Sequence, residues 1–229
     1  MQGIVIQGPI NYYKEIVECY ENIPNTVVST WEDEPEESIK YIESFGIPVI
    51  LNKKPSFPGY LNINMQTTSA MGGIKYLEEK GITEILKTRG DISISNIDKF
   101  LKVLKGKDMS FLAIATEGVR KDLYYELVYQ HFSHDYPVDL VIYGTTENIK
   151  NSFNFLLEEN APIPPEALVA YGVTSGKGID FKLDYSYLIE KGVNFYLQEC
   201  LDNNIELLWL KNNNVDIVKM HNDKEKYGF

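Results

Sequence analysis

Four short segments of this chain end in side chains able to grip a small anionic ligand: Gln7-Gly8-Pro9, Ser29-Thr30-Trp31-Glu32-Asp33, Asn52 and Arg89-Gly90-Asp91. A fifth segment adds Asn62, Asn64 and Gln66. Together they supply amide and hydroxyl groups, an aromatic ring, one guanidinium and several carboxylates. Amides orient a ligand, an indole offers a stacking face, and a guanidinium reads a phosphate through parallel N–H bonds. Each residue also has a purely structural reading. Gln7-Gly8-Pro9 can be only a turn, Trp31 can anchor a core, and Asn64 can cap a helix. Asp91 can pair with Arg89 or cap the helix that follows Ser95. The case for a site rests on their convergence.

Several familiar arrangements are absent. No Gly-x-Gly-x-x-Gly follows the first strand, which argues against a dinucleotide site. Ser175-Gly176-Lys177-Gly178 lacks the upstream Gly and the following Ser or Thr of a phosphate loop. There is no Gly-x-Ser-x-Gly elbow, and Cys19 and Cys200 have no metal-site spacing.

The elements that must position these residues are legible in the hydrophobic rhythm. Short β-branched runs predict strands at Gly3–Gln7, Thr26–Thr30, Pro48–Leu51 and Glu84–Thr88. Between them, helical periodicity predicts helices at Tyr13–Asn22, Glu36–Phe45 and about Asn64–Lys80. The last has Ile63, Ala70, Ile74 and Leu77 as its apolar stripe, with Thr67 filling the gap, and Gly81 as its C-terminal cap. Strands separated by such helices imply a parallel sheet with right-handed crossovers, so the polar strand ends fall on one rim. Farther on, the pattern predicts helices at Asn96–Leu104, Tyr124–Phe132, Glu147–Leu157, Glu166–Tyr171 and Tyr185–Asn203. Strands are predicted at Ser110–Ala115, Asp139–Tyr143, Glu206–Leu210 and Asp216–Lys219, with a loop at Thr174–Gly178. No repeat or linker divides the chain, which reads as a single domain over 1–229.

A chain of 229 residues should bury roughly 70–75% of its unfolded surface, enough to stand without disulfides or zinc. Its net charge of -11 argues against a general nucleic-acid binder and against a basic membrane-docking patch. A nucleotide ligand stays compatible, because one Arg and one divalent cation can hold a diphosphate inside an acidic protein. Two cysteines fit a reducing compartment. The first seven residues lack the charged region of a signal peptide, and no apolar run is long enough to span a membrane. The expectation is a cytoplasmic protein.

The segments Ile4-Val5-Ile6-Gln7-Gly8-Pro9, Ser29-Thr30-Trp31, Asn62-Ile63-Asn64-Met65-Gln66 and Lys87-Thr88-Arg89-Gly90-Asp91, in that order, resemble the WavE lipopolysaccharide-synthesis family. Asp139-Leu140-Val141-Ile142-Tyr143-Gly144 extends the resemblance weakly beyond the first hundred residues. It implies a GT-A-like fold: an open, mostly parallel twisted sheet flanked by helices, with a Rossmann-like N-terminal half. The halves would be 1–91 for the nucleotide and 92–229 for the acceptor. The implied activity is metal-dependent sugar transfer from a nucleotide-diphosphate sugar to a glycan or lipopolysaccharide-type acceptor. Two alternatives stand beside it, a non-catalytic nucleotide-sugar-binding or assembly domain and a sugar nucleotidyltransferase. By the same resemblance Gln7, Gly8, Pro9, Thr30, Trp31, Asn62, Gln66 and Arg89 would line the donor pocket. Asp91 and His221 would hold Mn2+ or Mg2+, and Asp139 or Glu147 would serve as catalytic base. The sequence departs from the family where Met65 stands in place of an Arg and where Glu147-Asn148 replaces an acidic pair.

Overall fold

A computed structural model describes residues 1–114, 136–154, 193–212 and 214–222. Ten strands and seven α-helices are labelled here in chain order among those residues. The N-terminal half alternates β1 (Gln2–Gln7), α1 (Tyr13–Tyr20), β2 (Thr26–Trp31), α2 (Glu36–Ser44), β3 (Val49–Asn52), α3 (Ile63–Glu79) and β4 (Glu84–Arg89). These bounds follow the hydrophobic rhythm closely. β1 and β2 read as apolar runs because both faces are covered: Ile4, Val5, Ile6, Val27 and Val28 have no solvent exposure.

The main sheet has the order β3-β2-β1-β4-β7-β6-β8. β6 is Met109–Ile114, β7 is Tyr136–Thr145 and β8 is Val193–Phe195. β7 alone runs against the rest, pairing antiparallel with both β4 and β6, while β6 and β8 are parallel. The fold is therefore a mixed α/β sheet, mostly parallel and flanked by helices, as the sequence predicts. After β1 the chain winds outward through β2 and β3, then returns to place β4 on the other side of β1. That reversal opens a crevice beyond the carboxyl ends of β1 and β4.

Helix α3 lies on β1, β2 and β3 and carries one wall of the crevice. Its stripe of Ile63, Thr67, Ala70, Ile74 and Leu77 is buried. Gly73 lets it approach closely, since a Cβ there would meet Val5 Cγ1 at 2.6 Å. Gly81, at φ 73°, closes the helix: its N–H bonds Glu78 O and the Ile82 N–H returns to Leu77 O.

A second, three-stranded antiparallel sheet, β10-β9-β5, joins Ile92–Ile94 (β5) to Leu207–Trp209 (β9) and Val215–Asp216 (β10). Helices α4 (Ile97–Leu104), α5 (Thr146–Phe153), α6 (Leu197–Asn203) and α7 (Ile217–Asn222) complete the described chain. Two expectations are corrected here. The predicted strand Asp216–Lys219 is strand only at Asp216 and turns into α7 from Ile217, because the Asp216 carboxylate accepts the Val218 N–H at 3.0 Å. The predicted helix Tyr185–Asn203 is β8 followed by α6 over its described part, because β6 offers an open ladder that β8 completes. The predicted helices Tyr124–Phe132 and Glu166–Tyr171 and the loop Thr174–Gly178 lie outside the described residues. Among the described residues, no helix is long and apolar enough to cross a membrane.

Candidate functional site

The crevice at the reversal point is a cleft of about 510 Å³. β1 and β4 end in register there, with Gln7 opposite Arg89. Gln7 is buried and fixed from α3, whose Ser69 hydroxyl donates to Gln7 Oε1 at 2.6 Å. Gly8 follows at φ 95°, a backbone region that a side chain would strain. Gly90 allows the β4 end to touch the first loop, since a Cβ there would lie 2.4 Å from Pro9 O. Each segment is thus held by local backbone constraints before any ligand is considered.

The electrostatic centre is an ion pair. Arg89 donates from Nε to Asp91 Oδ1 at 2.8 Å and from a terminal nitrogen to Oδ2 at 2.7 Å. The Trp209 indole N–H, arriving from β9, donates to the same Oδ2 at 3.1 Å. The Leu210 N–H bonds the Asp91 carbonyl at 3.0 Å, which brings the next residue, Lys211, into the cleft wall. Burial alone would raise the Asp91 carboxyl. The Arg89 guanidinium, by hydrogen bond and charge, together with the Trp209 N–H, outweighs it and holds the group below the usual carboxylate range.

Most of the residues expected in the donor pocket do meet. Gln7, Gly8, Pro9, Trp31, Asn62, Gln66 and Arg89 all line the cleft, and Asp91 lines it with them. Gln66 also has a buried Oε1 with no protein partner. Thr30 does not join them: it is fully buried, and its hydroxyl donates to Glu34 at 3.1 Å. Asn11, Tyr12, Leu61 and Lys211 line the cleft without having been singled out in the sequence, and Met65, noted there only as a departure from the family, lines it too. The first two sit just past Gln7-Gly8-Pro9 and were within reach of a loop-wide reading. Lys211 was not, since it joins the site only through the second sheet.

The two expected catalytic bases fall elsewhere. Glu147 is exposed in the first turn of α5, beyond the end of β7 that pairs with the start of β4. The length of β4, roughly 17 Å of strand, separates that edge from the cleft. Asp139 is 4% exposed inside the sheet, and the buried Lys87 donates to its backbone carbonyl at 2.5 Å. Neither lines the cleft. Of the expected metal pair, Asp91 lines the cleft, and its two oxygens accept hydrogen bonds from Arg89 and Trp209. The side chain of His221, at the end of α7, is outside the described part. Among the described residues, no group of three His, Cys, Asp or Glu comes together.

No protein-family model matches the chain, and no curated protein is similar to it. Solved structures do resemble it in part. One is a cytidylyltransferase from Leptospira borgpetersenii at 14% identity, covering 80% of this chain and 75% of that one, with a TM-score of 0.44. Another is a mannose-1-phosphate geranyltransferase from Thermus thermophilus at 11% identity, covering 85% and 73%, with a TM-score of 0.43. A third is a 4-diphosphocytidyl-2C-methyl-D-erythritol synthase at 12% identity, covering 73% and 82%, with a TM-score of 0.43. None of the three is described as a glycosyltransferase. The expectation of sugar transfer to a glycan acceptor is withdrawn.

Proposed function

We propose that this chain is a nucleotidyltransferase that joins the nucleotidyl group of a nucleoside triphosphate to a phosphorylated small molecule, a sugar phosphate being the class that fits. The observation supporting it is the pairing of Gln7 with Arg89 across the reversal point, with Lys211 brought to the same rim. Crevices of this kind are where open α/β sheets hold ligands. Two cations, side-chain amides and the Gly8 turn suit a ligand with several phosphate oxygens.

The chemistry asks little acid–base work of the protein. In the step proposed, a phosphate oxygen of the second substrate attacks the α-phosphorus. A new P–O bond forms, the bond to the bridging oxygen breaks, and pyrophosphate leaves with that electron pair. A phosphate monoester is largely dianionic near neutral pH, because its second pKa is about 6, so its oxygen attacks without losing a proton to a base. What the reaction does need is screening between two anions and in-line positioning. Arg89 and Lys211 would screen the triphosphate and the departing pyrophosphate. Asp91, braced by Trp209, would fix the plane of the Arg89 guanidinium. Gln7 and Gln66 would orient the ligand. A divalent ion carried by the triphosphate would enter as part of the substrate.

Binding can be tested by thermal unfolding and calorimetry with the common nucleoside triphosphates. A ligand at 100 times its Kd should stabilise the fold by about 2.7 kcal/mol. Lys211→Ala should weaken the binding of the preferred nucleotide on the order of tenfold, as expected for one charge-assisted contact. Absence of binding by every triphosphate would overturn the reading.

A further inference from the structure

Six non-glycine residues in the described chain have positive φ, and five of them are asparagines; the exception is Leu61, at φ 50° and ψ 30°. Asparagine enters the left-handed region readily, whereas a leucine there is uncommon and strained. Strain of this kind persists where the surroundings enforce it, often at ligand sites. Gly59, at φ 73°, and Asn62, at φ 62°, enclose it in the tight turn that opens α3. Core packing gives no reason for a leucine here, because the residue is 45% exposed.

Leu61 lines the cleft, and so do Tyr12, Trp31 and Met65. With Pro9 they make the apolar part of the wall, Trp31 as a largely buried backing at 3% exposure, while Arg89 and Lys211 make its cationic part. The two parts belong to different strands: Trp31 ends β2, Arg89 ends β4, and β1 lies between them. Two strand spacings, roughly 10 Å, separate those ends. A ligand with one flat apolar end and one polyanionic end matches that division.

We propose that Leu61 is a specificity-determining residue that covers the flat face of the nucleobase against Tyr12, Trp31 and Met65, with the phosphates directed toward Arg89 and Lys211. This rests on the nucleotide reading above and adds the direction in which the ligand lies. The strained turn holds an apolar side chain at the mouth of a polar cleft.

The test compares two ligands, the preferred nucleoside triphosphate and inorganic pyrophosphate, titrated calorimetrically into wild type, Leu61→Gly and Lys211→Ala. Glycine accepts positive φ without strain, so Leu61→Gly removes the side chain and leaves the turn. It should weaken the triphosphate on the order of tenfold, the effect of losing much of one apolar side-chain contact. Pyrophosphate affinity should be unchanged, and the melting temperature should hold or rise. Lys211→Ala should weaken both ligands. Leu61→Asn, which installs the residue found at the other five positions, should reproduce the base-specific loss. Equal binding by wild type and Leu61→Gly would overturn the proposal. So would an equal loss for both ligands accompanied by a lower melting temperature, which would make Leu61 a packing residue. If wild type binds pyrophosphate but no nucleoside triphosphate, the nucleotide reading fails and this inference fails with it.

Discussion

Asp91 is the residue at which two readings of the same carboxylate part ways. As a metal ligand it would need open lone pairs; as a brace it needs donors, and Arg89 and Trp209 supply them. Asp91→Asn should cost about 1–3 kcal/mol, the usual range for leaving half-buried hydrogen-bonding groups poorly matched. The pH dependence has a definite sign. The folded carboxyl titrates below its unfolded value, so its stabilisation is complete above about pH 4 and is lost as the pH falls through the folded value. Urea unfolding at pH 7 and in acid should show the gap between wild type and Asp91→Asn closing as the pH falls. A gap that persists or widens in acid would contradict the brace. The sequence offered the Arg89–Asp91 pairing directly, because the two residues are neighbours. Trp209 stands 118 residues away and could be joined to them only by the fold.

The elements were legible where one physical signal dominated. The first four strands and α3 stand out because apolar runs, helical spacing and Gly81 all agree. β5 went unseen because three residues give no periodicity to read. The predicted strand at Asp216–Lys219 failed because apolar Ile217 and Val218 fit a helix as well as a strand, and the Asp216 cap decides between them. The order of the strands is what gives the site its place, and no local pattern encodes it. α3 matters most for function, since its first turns present Met65 and Gln66 to the cleft. Gly73→Ala would push a methyl group toward Val5 and lift that helix from the sheet. Overpacking of this kind costs about 1–3 kcal/mol. Urea unfolding should register that loss, and nucleotide titration should show weaker binding. A variant with wild-type stability would contradict the close contact.

At the scale of the whole molecule, a net charge of -11 surrounds a cleft whose described lining has two cations and one ion-paired carboxylate. On the nucleotide reading proposed above, a triphosphate would approach through a repulsive field before meeting a local attraction. The Debye length is about 30 Å at 0.01 M salt and about 8 Å at 0.15 M, so added salt removes the distant repulsion first. Stopped-flow binding should therefore show association quickening between those two conditions. A rate that falls steadily with salt would mean that the cations at the rim govern the encounter.

Pyrophosphate release from a nucleoside triphosphate, measured with and without a panel of sugar phosphates, tests nucleotidyl transfer most directly. The account predicts release that requires both substrates, prefers one base, and drops sharply in Arg89→Ala and Lys211→Ala. Binding of the triphosphate without release in the presence of any sugar phosphate would contradict transfer, leaving a nucleotide-binding domain in its place.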